Sequence, residues 1–101
     1  MASEPIRNDL ISVGTTSVVA ARNREGQRKR VDIIIYNSSA STQVMTIHRG
    51  DGPAVANVGI VRNPGEAWFD TISEGYTPYQ GTIQVIMSGA SGQISVTERC
   101  E

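Results

Sequence analysis

Few residues in this chain could do chemistry, and they sit apart. His48 is the single histidine, Cys100 is the single cysteine, and Arg49-Gly50-Asp51 directly follows the histidine. That tripeptide is the one adhesion proteins display to integrins. An adhesive role would need it at a hairpin tip, with the Asp51 carboxylate free to ligate a partner's metal ion. Asp51-Gly52-Pro53 is also strong turn chemistry in its own right. Gly50 and Gly52 supply unusual backbone angles and Asp51 caps the turn. The turn accounts for these residues without a receptor, so a turn is what we expect.

Acid–base and metal chemistry have little to work with. His48 closes a strand, and no serine or cysteine lies in a nucleophile motif. Asp51, Glu66, Asp70 and Glu74 are scattered over loops and strand ends, without the spacing of a metal site. One cysteine rules out an intrachain disulfide and a cysteine-based zinc cage, and is in keeping with a reducing cytosol. We therefore expect no enzyme, no cofactor and no metal.

Two groups of side chains suit contact better than catalysis. The segment "ARNREGQRKR" holds Arg22, Arg24, Arg28, Lys29 and Arg30, five of the nine basic residues. It reads as a loop with Glu25-Gly26 at its tip. It could dock on an acidic surface, or it could be a solvated loop whose charges guard the aggregation-prone strand "VDIIIY". No aromatic residue is interleaved for base stacking, so nucleic acid is not an expected partner. Trp68 and Phe69 are adjacent, so on a strand they face opposite sides, one into the core and one outward as an interface anchor. Tyr76 and Tyr79 lie in the Pro/Gly loop "EGYTPYQG". There they could form a contact or sugar-binding surface, or fold back over the end of the core.

The elements that must carry these residues are strands. At 101 residues the chain is one domain, its formal net charge is −1, and its apolar runs are far too short to span a membrane. The opening "MASEPIRNDL" is polar and carries both charge signs, unlike a secretory signal. Period-two alternation recurs throughout: Ile83, Val85 and Met87, then Ile94 and Val96, with "SGASG" between them, read as an antiparallel hairpin. Val31, Ile33 and Ile35 mark a central strand that "TQVMTIH" should pair with. Asn63-Pro64-Gly65-Glu66 is a type II turn joining another hairpin. Eight short strands follow, at 10–13, 16–21, 30–37, 42–49, 55–61, 66–72, 81–88 and 92–99. Together they predict an all-β fold: a single-domain, jelly-roll-like antiparallel β-sandwich over 10–101, with residues 1–9 as an N-terminal arm.

Laid out this way, the chain resembles a type of small tailed-phage structural protein. The likeness is carried by "TTSVVAARN", "KRVDIIIYNSS", "VGIVRNPGEAWFDT" and "GTIQVIMSGASGQISVTERCE", and covers roughly residues 12 to 99. It implies a virion component made in the host cytoplasm. The type is a capsid decoration or cement protein, commonly trimeric, that binds the major capsid protein on the outside of the assembled head. In that picture the arm orders against the capsid, the loop carrying Arg24, Arg28, Lys29 and Arg30 docks on acidic capsid surface, and Trp68 or Tyr79 anchors a subunit interface. The rival expectation is an adhesive or carbohydrate-binding head-fibre or tail module. It would work through the Tyr76/Tyr79 loop or Arg49-Gly50-Asp51.

Overall fold

A computed structural model describes residues 7–26, 28–40 and 42–101. It contains eight strands, β1 (Arg7–Val13), β2 (Val18–Ala21), β3 (Arg30–Asn37), β4 (Met45–Arg49), β5 (Ile60–Arg62), β6 (Ala67–Thr71), β7 (Ile83–Met87) and β8 (Gly92–Cys100), and no helix among the described residues. They form two four-stranded antiparallel sheets ordered β1-β8-β3-β6 and β2-β7-β4-β5. Strand 1 lies beside 8, 2 beside 7, 3 beside 6 and 4 beside 5, as if one long hairpin had been rolled up. This is the jelly-roll arrangement, and the chain is a β-sandwich.

Alternation builds the core. Ile33 and Ile35 of β3, Ile94 and Val96 of β8, Met45 and Ile47 of β4, and Ile83, Val85 and Met87 of β7 all point between the sheets and are fully buried. Along β7 and β8 every second residue lies on this layer, and burying a side chain of this size contributes about 1.5–3 kcal/mol.

Three expected pairings are corrected. The "SGASG" segment does not close a hairpin, because β7 and β8 lie in different sheets. Likewise β3 does not pair with β4, nor β5 with β6; these connections arch across the sandwich. The Asn63–Glu66 turn itself forms as expected: Gly65 has φ +85° and the Glu66 N–H donates to the Asn63 carbonyl at 3.0 Å. It joins two sheets instead of two neighbours. Among the described residues, β4 and β5 are the only consecutive strands that pair.

Three residues of the arm expected over 1–9 belong to the sandwich. Arg7, Asn8 and Asp9 belong to β1 and pair with Glu98, Thr97 and Val96, while residues 1–6 lie outside the described residues.

Candidate functional site

The basic segment is where sequence and structure differ most. Arg30 is not a docking residue: its exposure is 0 %. The register between β3 and β8 slips between Arg30 and Asp32, so Arg30 and Val31 both turn inward where strict alternation would put Arg30 outside. Glu98 meets it there, 2 % exposed, accepting from Arg30 Nε at 2.8 Å. The rest of the guanidinium donates to the carbonyls of Tyr79 at 2.5 Å, Gly81 at 3.3 Å and Arg22 at 2.8 Å. A buried cation needs such complete satisfaction to be tolerated. Gln80 adds a reciprocal pair of hydrogen bonds to the Arg30 backbone.

Arg24 is drawn into the same network, donating to both Glu98 oxygens at 2.8 and 3.2 Å. Arg7 lies 3.3 Å from Glu98 on its other side. Burial alone would raise the Glu98 pKa, but the hydrogen bonds from Arg24 and Arg30 outweigh it and hold the carboxyl below its ordinary value. The Glu98 bond in turn raises the Arg24 pKa. So Arg24 and Arg30 staple the chain internally. Arg28 donates to the Glu101 carbonyl, and Lys29 stays exposed.

The aromatic residues are sorted as the strand parity requires, with the roles exchanged. Trp68 packs against the core, while Phe69 on the opposite side is 68 % exposed. Tyr79 also packs against the core, with the Arg49 guanidinium 6.0 Å from its ring centre. Trp68 and Tyr79 are thus both half-buried, each with one side packed against the core. The tyrosine loop folds back over the end of the sandwich. Buried Asp70 accepts the Tyr76 hydroxyl and, at 3.1 Å, the Tyr79 N–H. The hydrogen bond to Asp70 raises the pKa of the Tyr76 hydroxyl. Tyr76 itself remains partly exposed.

The Arg49-Gly50-Asp51 turn is tied down along its length. Arg49 lies over Tyr79, the Gly50 N–H donates to the Thr82 carbonyl at 2.8 Å, and the Asp51 carbonyl accepts from Gln84 at 2.9 Å. His48 half-buries beside Gly50 and Gly52. Among the described residues, no group of three or more His, Cys, Asp or Glu side chains could hold a metal ion. Cys100 is buried at the end of β8.

What the fold does present is two outer faces rich in uncharged residues. On the sheet β2-β7-β4-β5, the β4–β5 connection folds over the strands and displays a small apolar knob. Val55 and Val58 bridge to each other around Asn57, whose φ of +65° is a left-handed turn conformation that asparagine tolerates. The Asn57 N–H bonds to Thr46 Oγ1 at 3.0 Å and the Ala54 N–H to Ser17 Oγ at 2.8 Å, which fastens the knob to the sheet. Val55, Val58, Val61 and, on β2, Val19 are all exposed, by 37–61 %. On the sheet β1-β8-β3-β6, outward positions carry Leu10, Ile34, Tyr36 and Phe69 among Asn, Ser and Thr.

Sequence reasoning passed over most of these residues, although "VDIIIY" held a signal. Val31, Ile33 and Ile35 already fill the inward positions, so Ile34 and Tyr36 are apolar where a solvated face would be polar. No protein-family model matches the chain, and no solved structure matches it.

Proposed function

We propose that the protein is a tailed-phage virion component, a decoration or cement protein that binds the outside of the assembled head through the major capsid protein. The valine knob carries this reading. Val55 and Val58 are exposed on a connection that side-chain hydrogen bonds to Thr46 and Ser17 fasten to the sheet beneath. A preorganised apolar projection on a small sandwich is suited to insertion between neighbouring subunits, because little conformational freedom remains to be lost on binding. The resemblance of "KRVDIIIYNSS" and "VGIVRNPGEAWFDT" to small phage structural proteins supports the same reading.

The mechanism is linkage. A protein that binds only the closed shell stabilises that state by mass action, and attachment to more than one capsomer makes each later contact effectively intramolecular. Docking by the knob replaces docking by the basic loop, since Arg24 and Arg30 are engaged with Glu98. The test is co-sedimentation with expanded heads. The double variant Val55→Asp/Val58→Asp is expected to lose occupancy at least about tenfold while keeping its thermal unfolding temperature. The reading fails if this variant binds like the parent, or if the parent binds unassembled capsid protein equally well.

A further inference from the structure

We infer that the outer face of the β1-β8-β3-β6 sheet is a twofold interface, and that its occupant is a second copy of this chain. The inference does not rest on the capsid reading, because it concerns the opposite face and its test needs no capsid. The register fixes what stands beside what. Across the four strands, one row reads Leu10–Ser95–Tyr36–Ala67 and the next Asn8–Thr97–Ile34–Phe69. A third holds Arg99–Asp32–Thr71, and its Arg99–Asp32 contact is loose at 3.8 Å. Leu10 and Phe69 are each 68 % exposed, and Ile34 and Tyr36 about two fifths.

The rows are self-complementary about one axis only. Turning a second copy by half a revolution about an axis parallel to the strands, between the two faces, lays its β8 over β3 and its β1 over β6. Leu10 then meets Ala67 of the copy, Tyr36 meets Ser95, Ile34 meets Thr97 and Phe69 meets Asn8. Every large side chain faces a smaller one, which is how packed sheets interdigitate at ~10 Å separation. Asp32 of each copy faces Arg99 of the other, so the face's charged row pairs across the interface. A half-turn about an in-plane axis across the strands would instead set β8 on β8 and leave the small residues facing each other.

The area sets the strength. Four strands ~4.8 Å apart and about seven residues long give a footprint of roughly 400 Å² per copy, about half of what each partner gives a standard interface. The pair is therefore weak and concentration-dependent in solution. It would be driven together where copies are crowded.

Sedimentation equilibrium on the full chain, from micromolar to millimolar, tests this directly. The expected result is a reversible rise from the monomer mass towards twice that mass, and at least about tenfold weaker association for Phe69→Ser. The decisive experiment uses Asp32→Arg and Arg99→Asp. Each variant alone places like charges across the dyad and is expected to stay monomeric. An equimolar mixture sets the arginine introduced in one chain against the aspartate introduced in the other. The same pairing brings the unchanged Arg99 of the first chain against the unchanged Asp32 of the second, and the mixture is expected to recover the pair. Within each single variant the intrachain contact is repulsive, so recovery on mixing reports the contact between copies. A monomer throughout the range, a threefold mass, or a mixture that associates no better than its components would overturn the inference.

Discussion

Glu98 is the residue on which the charged end of the sandwich depends. Arg24, Arg30 and Arg7 all reach it, and Arg30 is sealed from solvent. Removing the anion leaves a buried guanidinium without compensation, so Glu98→Gln is expected to cost about 3–5 kcal/mol in urea unfolding. The pH dependence has a definite sign. The folded-state pKa of Glu98 lies below its ordinary value of 4.5. Its contribution is therefore complete above about pH 4.5 and drains away as pH falls further, towards the folded-state value. Acid titration of the Glu98→Gln variant should lack that part of the loss. On β6, Trp68→Ala is expected to destabilise by about 2 kcal/mol or more, because it empties a site packed on the core. Phe69→Ser should cost under about 0.5 kcal/mol in dilute solution. The opposed faces of Trp68 and Phe69 were legible from adjacency alone. The burial of Arg30 was not, because a one-residue slip in register inverts the parity that sequence reading relies on, and nothing in "RKRVD" marks the slip.

At the scale of elements, alternation indicated eight strands, although the fifth, expected over 55–61, forms only at Ile60–Arg62 because 55–59 make the knob. The Asn63–Glu66 turn took the conformation its Pro and Gly dictate. Which strand each one pairs with was not legible. A short loop after an alternating run serves equally for a hairpin or for an arch between sheets. The choice is made by the partners on either side: β8 lies between β1 and β3, and β7 between β2 and β4. The arch from β7 to β8 leaves its own mark at Gly92. A Cβ there would run into the Met87 side chain and approach the Val13 carbonyl oxygen to 2.7 Å. Gly92→Ala is expected to cost about 1–3 kcal/mol, read as a lowered thermal midpoint.

The whole molecule is polarised. The first residue of β1, the last of β4, the last two of β8 and residues 22–26 and 28–30 all converge on one end. Eight of the nine basic residues therefore gather there, with Arg62 alone at the other. The far end is closed by loops such as "GTTS" and "SGAS", without a charge between them. The valine knob does not depend on this charged end. Head binding through the knob should therefore vary by less than about twofold between low and high salt, whereas docking by the basic loop would weaken steeply. Occupancy measured across a salt series distinguishes the two.

The rolled pairing also constrains how the protein is made. The strand that sits between β1 and β3, and supplies Glu98 to three arginines, is the last of the eight to leave the ribosome. Until it emerges, β1 has no neighbour in its sheet and β3 has β6 alone. Nascent chains stalled before β8 should be open to protease throughout β1 and the 22–30 segment, and a premature stop there should leave no partly working product.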